Sequence, residues 1–262
     1  MGDSPSKRRF PAKLIRWRDR HELRILLTIF LMAGGAWAFI ELAEEVMQGD
    51  THAFDMLILL ALRNPEDLSD PIGPKWVEEL GRDFTALGGM AVLMLLTFAV
   101  IGFLLLVHKR RTALLVAVAV GSGIFLSLLL KQGFDRPRPD LVPHESYVYT
   151  MSFPSGHAMM SAVTYLTLAA LLCRVQKRLR MKLYLLTLAI LLTMGVGISR
   201  VYMGVHWPTD VLAGWTAGAL WTLACWQLGR WLQDRGQIEP EGASPQEDTE
   251  EGKGQIIRDT RK

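Results

Sequence analysis

Six blocks of almost uninterrupted apolar residues constrain the fold of this chain more than any other feature. They lie near residues 25–40, 86–107, 112–130, 158–173, 183–198 and 209–229. A helix needs roughly 20 mostly apolar residues to cross a bilayer, and each block is at or close to that length. A soluble helical bundle, the alternative, is disfavoured because several blocks have no polar face. We therefore predict an all-α integral membrane bundle of about six transmembrane helices.

The segments that flank the bundle differ from it in composition. Residues 1–24 form a strongly basic arm, and residues 236–262 are polar, mixed in charge and poor in aromatic residues, which predicts a disordered tail. The bundle is predicted to occupy residues 25–235 as one domain. A basic stretch before an apolar block also begins a signal peptide, but this block has no clear cleavage site, so we interpret it as a retained anchor.

The distribution of Lys and Arg predicts which way the helices face. The arm, the turn 108–111 and the stretch 174–182 are basic, so the positive-inside rule assigns them, together with both termini, to the cytoplasm. The acidic loop 41–85 then lies outside. It contains Trp76, Phe84 and a short apolar run, which is typical of amphipathic helices in the membrane interface; a solvated loop is an equal alternative.

The two remaining outer loops, 131–157 and 199–210, fall on one face of the predicted bundle. Their ionisable residues include Lys131, Arg136, Arg138, His157, Arg200, His206 and Asp210. Ionisable groups at membrane depth are costly and usually functional. This face is therefore the candidate site.

The first cluster on this face is KQGFDRPRP, residues 131–139. Lys131 ends an apolar helix and Arg138 precedes a proline. A point charge and a planar guanidinium at this spacing suit an anion with several oxygens. The alternative is a pair of interfacial anchors whose charges reach the headgroups.

The second cluster is SFPSGHAMMSAV, residues 152–163, at the start of an apolar block. Ser155 is a good N-cap, and Gly156 lets the backbone approach a ligand closely. The free N–H groups and dipole of a helix N-terminus favour an anion there, and His157 lies in the same turn. An ordinary capped helix start with an interfacial histidine is the alternative.

The third cluster is SRVYMGVHWPTD, residues 199–210. Asp210 follows His206 by four residues, so its carboxylate can reach one imidazole nitrogen and leave the other facing a ligand, as in hydrolytic triads. Arg200 adds a third cation, and Pro208 suits the first turn of a helix. Asp210 as a simple helix cap and His206 as an interfacial residue are the alternatives.

Together the clusters predict a phosphate site. They supply three cations, a helix N-terminus, two histidines and one carboxylate, but no second carboxylate or cysteine, so a metal site is poorly supported. His206, which has a carboxylate partner, is the better nucleophile, and His157 suits a general acid. The cations and backbone N–H groups would stabilise charge on the equatorial oxygens.

These residues resemble the type 2 phosphatidic acid phosphatases, membrane relatives of acid phosphatases and vanadium haloperoxidases. The family pattern is Lys-x(6)-Arg-Pro, Pro-Ser-Gly-His and Ser-Arg-x(5)-His-x(3)-Asp. The chain matches it without departure over residues 131–210, at Lys131, Arg138-Pro139, Pro154-Ser155-Gly156-His157, Ser199-Arg200, His206 and Asp210. Arg136-Pro137 competes with the first motif, and the second pair is chosen because its gap fits.

The resemblance implies a role for each motif residue. His206 would form a phosphohistidine, Asp210 would orient it, and His157 would protonate the leaving group. The phosphate would be held by Lys131, Arg138, Ser155, Gly156 and Arg200. The family needs no metal or other cofactor, and in its bacterial members the site faces the periplasm, across the inner membrane from the cytoplasm.

The implied substrate is a membrane lipid phosphate, such as phosphatidic acid, phosphatidylglycerol phosphate, undecaprenyl pyrophosphate or a lipid A phosphate. The motifs contact only the phosphate, so they do not separate these lipids. Three alternatives use the same residues: a lipid phosphotransferase, a vanadate-dependent haloperoxidase, and a phospholipid transporter or scramblase that binds phosphate without cleaving it. The sequence indicates no nucleic-acid partner.

Overall fold

The computed structural model describes residues 12–141 and 151–235 of the chain. Over this part the chain forms eight α-helices and one antiparallel β-hairpin. In chain order the elements are α1 (Ala12–Gln48), α2 (His52–Ala61), β1 (Arg63–Asn64), β2 (Asp67–Pro71), α3 (Lys75–Leu87), α4 (Met90–Leu106), α5 (Arg110–Gly133), α6 (Gly156–Val175), α7 (Leu179–Tyr202) and α8 (Pro208–Asp234). The predicted tail, 236–262, lies outside the described residues, and α1 begins within the predicted arm.

Four of the described helices are long and apolar enough to cross a membrane. They are Ile25–Gln48 of α1, all of α5, Gly156–Arg174 of α6, and all of α7. The pair α3 and α4 passes the same test as one span bent by 49°, which makes up to five. The predicted helical membrane fold is therefore confirmed. The sixth predicted span, α8, falls outside this set because tryptophans and glycines dilute its apolar residues, and its crossing stays a prediction.

The outward surface of the helices is apolar, as expected for a surface that faces lipid. Large side chains on α4 and α5 stand exposed, among them Leu106, Phe98 and Phe125. A water-soluble bundle would cover such a continuous apolar surface, so the exposure pattern independently supports a membrane location.

Helix α6 forms the centre of the bundle and is packed closely against α8. Ala158, Met159 and Ala162 of α6 are buried. On α8, a Cβ atom built at Gly214 would lie 2.7 Å from the carbonyl oxygen of Ser155, and one at Gly218 would lie 2.6 Å from that of Met159. Small residues let membrane helices approach until their backbones touch. The two helices that begin at the candidate site are therefore held tightly together.

The first outer loop, 41–85, differs most from the prediction. Helix α1 continues to Gln48, and a two-stranded hairpin, β1–β2, adds a small sheet that the all-α prediction lacked. Helix α2 buries Asp55 and Leu59 completely. The apolar run in this loop was too short for its pattern to distinguish burial against protein from contact with headgroups. The interfacial position of these helices stays a prediction.

Candidate active site

Four helix termini meet at one end of the bundle, and each carries a predicted site residue. Lys131 lies in the last turn of α5, His157 in the first turn of α6, Arg200 in the last turn of α7 and Asp210 in the first turn of α8. Because α5, α6 and α7 alternate in direction, residues far apart in the sequence lie side by side. The basic segments 108–111 and 174–182 lie at the opposite helix ends.

His206 and Asp210 form the pair that their four-residue spacing predicts. The Nδ1 atom of His206 is 3.3 Å from Oδ2 of Asp210, and both side chains are almost completely buried. The loop before α8 turns sharply, with Gly204 at a φ of 70°, and Pro208 starts the helix as predicted. The turn places His206 directly above the first turn of α8.

The opposite edge of the His206 ring, which carries Nε2, points toward Arg138. Nη1 of Arg138 lies 3.2 Å from Nε2 of His206 and donates to the carbonyl oxygen of Val205 at 2.9 Å. A guanidinium is only a donor, so it favours the tautomer with a lone pair on Nε2 and the proton on Nδ1 facing Asp210. The ring is therefore oriented with its unprotonated nitrogen toward a cation.

The surroundings of His206 keep its imidazole neutral. Burial lowers the pKa of His206 to about 4, although the hydrogen bond and charge of Asp210 act in the opposite direction. Burial also lowers the pKa of Arg138, while the charge of Asp210 raises it. A neutral imidazole with a lone pair on Nε2 is the form that a nucleophile requires.

Asp210 receives more hydrogen bonds than its pairing with His206 predicts. Its Oδ2 also accepts from the backbone N–H of Trp207 at 3.0 Å and from the hydroxyl of Ser152, whose Oγ is 3.4 Å from Nδ1 of His206. Asp210 therefore acts both as the histidine partner and as a cap of α8. The two roles that the sequence offered as alternatives coexist.

The start of α6 contributes Ser155 and Gly156. Ser155 occupies the predicted N-cap position, but its hydroxyl makes no capping hydrogen bond. Its Oγ is buried and has no partner among the residues that the structure describes, while its N–H donates to the carbonyl oxygen of Asp210 at 2.9 Å. A Cβ atom at Gly156 would lie 3.2 Å from Cε of Lys131, so this glycine makes room for the lysine.

Arg200 and His157 complete the cluster. The Nε of Arg200 is buried and finds no hydrogen-bond partner in the described part of the chain. Arg200, Lys131 and Arg138 all lie close enough to His157 to act on it electrostatically. Cations grouped in this way are suited to a polyanionic ligand. The structure thus brings every predicted site residue together at one end of the bundle.

A cavity of about 160 Å³ opens beside the cluster. Lys131, Gly156 and His157 form its polar side, while Met90 of α4 and Leu128 of α5 form part of its apolar side. Both apolar residues are about half exposed on the outer wall of the bundle, Met90 at 51% and Leu128 at 54%. The cavity therefore joins the charged cluster to the surface that faces lipid.

Besides Ser152, three further residues reach the site although the sequence assigned them no catalytic or phosphate-binding role. Arg136 donates hydrogen bonds to Asp210, Asp55 and Thr209, and the Thr209 hydroxyl donates to Asp55. The sequence offered one signal, because Arg136-Pro137 competed with Arg138-Pro139 for the first motif. It offered none for Asp55, which is one of several acidic residues in the first outer loop. Across residues 12–141 and 151–235, no group of three His, Cys, Asp or Glu side chains is placed to hold a metal ion.

Comparison with known proteins identifies the family. The family model described as the PAP2 superfamily matches residues 112–234. Phosphatidylglycerophosphatase B of Bacillus subtilis is 36% identical over 148 residues, which cover 55% of this chain and 71% of that protein. A lipid A 1-phosphatase of Rhizobium etli is 29% identical over 180 residues, covering 58% of this chain and 73% of the relative. An undecaprenyl-diphosphatase of Sulfolobus acidocaldarius is 31% identical over 123 residues, covering 44% and 55%.

The fold agrees with this assignment. The solved structure of a transmembrane PAP2-type phosphatidylglycerolphosphate phosphatase from Bacillus subtilis superposes with a TM-score of 0.67 at 28% identity, covering 78% of this chain and 98% of that one. Sequence, fold and the motifs gathered at one end of the helices point the same way, and the chain belongs to the PAP2 superfamily.

Proposed function

We propose that this protein is a metal-independent lipid phosphate phosphatase that works through a phosphohistidine on His206. The named relatives of the chain are phosphatases, and the chain is an enzyme of that class, a phosphoric ester hydrolase. Its reaction would be the hydrolysis of a phosphate monoester or diphosphate at the headgroup of a membrane lipid.

One observation carries the proposal, the orientation of His206. Its Nδ1 faces Asp210 at 3.3 Å, and its Nε2 faces Arg138 at 3.2 Å, inside the cluster of cations. A non-catalytic phosphate site has no need of a buried neutral imidazole held in this way. The arrangement matches the requirement of a nucleophile whose carboxylate partner stabilises the imidazolium formed after attack.

The phosphate would be bound by the three cations, the Gly156 N–H group and the Ser155 hydroxyl. Ser155 Oγ and Arg200 Nε are buried without partners among the described residues, which supports their assignment to a ligand. Arg138 contacts Nε2 of His206, so a phosphate bound to Arg138 would have its phosphorus close to the nucleophile. Donors held in place before the reaction lower its barrier because they need no reorganisation.

In the first step, the Nε2 lone pair of His206 attacks phosphorus, and the bond to the leaving oxygen breaks. The leaving oxygen takes a proton from His157. A monoester then releases a neutral alcohol, and a diphosphate releases a lipid monophosphate. The product of this step is a phosphohistidine whose Nδ1–H remains hydrogen-bonded to Asp210.

In the second step, water attacks the phosphohistidine in line with the P–N bond. His157, now neutral, accepts a proton from that water, and the P–N bond breaks. His206 returns to its neutral form and inorganic phosphate leaves. The cycle restores every group to its starting protonation state and needs no oxidant or metal.

The cavity beside the cluster supports a lipid as the leaving group. Its polar side would hold the phosphate, and its apolar side opens at Met90 and Leu128 toward lipid. The relatives are named for phosphatidylglycerol phosphate, undecaprenyl diphosphate and lipid A. Substrates of this chain would come from the same group, including phosphatidic acid.

The orientation in the membrane follows from charge. The basic segments 108–111 and 174–182 lie at the helix ends opposite the site, and the positive-inside rule assigns them to the cytoplasm. The protein would therefore be a multi-pass protein of a bacterial inner membrane, with α8 as the sixth span. Both termini would be cytoplasmic, and the site would face the periplasm.

The test is phosphate release by the purified protein in detergent with EDTA present. The panel is a phosphatidic acid, a phosphatidylglycerol phosphate and a polyprenyl pyrophosphate. His206→Ala should lose about 10⁴-fold or more in turnover and form no phosphoenzyme, as expected when a nucleophile is removed. His108→Asn, which changes a histidine at the opposite end of the bundle, is the matched control and should retain activity.

Each other outcome selects a different function. Activity of His206→Ala equal to that of the native protein would contradict the phosphohistidine mechanism. Product formation only after an acceptor lipid is added would identify a phosphotransferase. Lipid movement across vesicles that survives His206→Ala, without phosphate release, would identify a transporter.

The role of His157 can be tested separately by varying the leaving group. His157→Ala should slow hydrolysis of an alkyl phosphate by about 10²–10⁴-fold, because general acid catalysis is lost. Hydrolysis of an aryl phosphate with an acidic phenol should slow much less, since that leaving group needs no proton. Equal slowing of both substrates, measured as kcat, would count against the assignment.

A further inference from the structure

A guanidinium bridges two buried carboxylates behind the His206–Asp210 pair. Nη1 of Arg136 donates to Oδ1 of Asp210 at 2.6 Å, and its Nη2 donates to Oδ2 of Asp55 at 2.6 Å. Asp55 and Asp210 are completely buried, and Arg136 is 8% exposed. Because all three side chains are buried, their ion pairs are only weakly screened by water and salt.

The bridge links the first outer loop to the start of α8. Asp55, on α2, accepts the backbone N–H of Thr209 at 2.9 Å and the Thr209 hydroxyl at 2.6 Å. The same hydroxyl accepts from Nη1 of Arg136 at 2.8 Å. Asp55 thus satisfies an N–H group in the first turn of α8 that no residue of the helix itself can reach.

Arg136 fixes the direction of the Asp210 carboxylate. It holds Oδ1, and the other three donors, His206, Trp207 and Ser152, all bond to Oδ2. Because the χ2 torsion of Asp is intrinsically broad, the bond on Oδ1 restrains the carboxylate plane beyond what the bonds to Oδ2 supply. Holding Oδ1 therefore keeps Oδ2 aimed at Nδ1 of His206.

The negative charge of Asp55 offsets the positive charge of Arg136. Arg136 and Asp210 alone would form a neutral pair, and Asp210 would then offer little net charge to an imidazolium. With Asp55 included, the three buried side chains carry one guanidinium and two carboxylates, a net charge of −1 at neutral pH. That net charge lies beside the ring that becomes positive when His206 is phosphorylated.

We propose that Asp55 and Arg136 are positioning residues for the reaction, acting on His206 through Asp210. The inference rests on the proposed phosphohistidine function and deepens it. Arg136 orients Asp210, and Asp55 holds Arg136 while it keeps the assembly anionic. Neither side chain contacts the substrate, and no bond to either is made or broken in the cycle. The first outer loop is thereby a working part of the active site.

The competing explanation is a structural cross-link that merely holds α2 against α8. The two explanations differ in what they change. A cross-link affects the amount of folded protein and its unfolding temperature. A positioning role also changes kcat at constant KM, and it changes the pH at which His206 takes up a proton.

The principal variant is Asp55→Asn, which keeps the shape of the side chain but removes its charge and replaces one acceptor oxygen with an NH2 donor. Turnover should fall by about 10-fold to 100-fold, while KM stays within about 2-fold, because the phosphate contacts are intact. The acid limb of kcat/KM should move to lower pH by roughly half a unit or more, since a nearby negative charge is lost. The charged and titratable groups that act on His206, namely Asp210, Arg138, Arg200 and His157, are unchanged in this variant.

Two Arg136 variants test the geometry. Arg136→Gln should lose at least as much kcat as Asp55→Asn, because it leaves two buried carboxylates without their shared cation. Arg136→Lys keeps the charge but loses the planar fork that reaches both carboxylates, so it should recover part of the loss. The double variant Asp55→Asn, Arg136→Gln should be no worse than Arg136→Gln alone, since coupled residues are not additive.

Arg63→Gln is the matched structural control. Arg63 is a buried arginine that also ties the first outer loop to the bundle, through a 2.6 Å bond to the carbonyl oxygen of Tyr202. It makes no bond to Asp210. The unfolding temperature in detergent should fall for this variant as it does for Asp55→Asn. Its kcat and the pH dependence of its activity should stay near those of the native protein.

The outcomes separate this inference from the proposed function. A native protein that releases no phosphate from any lipid overturns the proposed function. A native protein that is active and loses activity in His206→Ala, but not in Asp55→Asn or Arg136→Gln, overturns the positioning role alone. The positioning role is also overturned if Arg63→Gln and Asp55→Asn have the same unfolding temperature and lose the same kcat, and if the acid limb of kcat/KM does not shift in Asp55→Asn.

Discussion

The two ends of helices α5, α6 and α7 are both basic, yet only one of them forms a site. At the end opposite the site, Arg110, Arg178 and Arg180 are exposed. At the site end, Arg136 and Arg138 bond to named partners, and the Nε of Arg200 is buried. In the proposed function, similar charges would serve two purposes, orientation in the membrane at one end and ligand binding at the other.

The difference between the ends comes from how closely the helices pack. Helices begin at both ends, α6 and α8 at the site end and α5 and α7 at the opposite end, so helix dipoles alone do not distinguish the two. The close approach of α6 and α8 at Gly214 and Gly218 brings the two termini at the site end together. At the opposite end Arg110, Arg178 and Arg180 are exposed. Enclosure, rather than the number of cations or helix termini, distinguishes the candidate site.

The largest expected contrast comes from removing one cation at each end. Arg138→Ala should lower kcat/KM by about 10²–10³-fold, because a donor to the transition-state charge is lost. Arg180→Ala, a matched change at the opposite end, should leave kcat/KM within about 2-fold, as expected of an exposed charge far from the chemistry. Measured on one lipid in one detergent, similar losses in the two variants would mean that the cations act through the general field rather than through contact.

A second contrast concerns pH. Because burial lowers the pKa of His206 to about 4, its imidazole stays neutral at pH 5 and activity should fall only as the pH approaches 4. Its contribution to folding has the same sign: stability is complete above the ordinary histidine value of about 6.5 and is lost as the pH falls toward the folded value.

The measurement is kcat/KM against pH for a phosphate monoester and for a diphosphate. If His206 sets the acid limb, the two substrates share it, although they ionise differently. His108→Asn, at the opposite end, should leave that limb in place. A shared midpoint near the ordinary imidazole value of about 6.5 would show that His206 is not held neutral by burial.

The smallest effect tests the packing that encloses the site. Gly214→Ala would bring a Cβ atom within 2.7 Å of the Ser155 carbonyl oxygen, so α6 and α8 must separate. The free energy of unfolding should fall by about 1–3 kcal/mol, the usual cost of overpacking. Gly121→Ala in α5, where no atom lies within 4 Å, should be neutral or slightly stabilising. Unfolding in detergent measures both, and equal effects would argue against close packing as the cause of enclosure.

Much of this architecture could be predicted because it depends on local patterns. All six apolar blocks form helices, and Lys131, His157, Arg200 and Asp210 lie at helix ends that alternating topology brings to one face. Motif spacing adds the His206–Asp210 contact, because four residues is the distance at which the two side chains meet across the start of a helix. These inferences need no knowledge of how distant segments pack.

The remainder depends on tertiary contacts that no local pattern encodes. Asp55 resembles the other acids of its loop until α2 packs against α8 and buries it. Arg136 and Arg138 share the same local sequence, yet one faces two carboxylates and the other faces His206, and nothing in that local sequence distinguishes them. The hairpin β1–β2 was missed since strands of two and five residues are too short to show a clear period.

The length of the central helices has a consequence for the energy of the reaction. Helices α5 and α7 each have 24 residues, and at 1.5 Å per residue such a helix is about 36 Å long, against a hydrocarbon core of about 30 Å. The side chains in their last turns therefore reach the polar boundary of one leaflet. In the proposed reaction a lipid would keep its chains among its neighbours while its headgroup is hydrolysed at its own depth. No ionic group would have to enter the hydrocarbon, and no lipid would have to leave the leaflet.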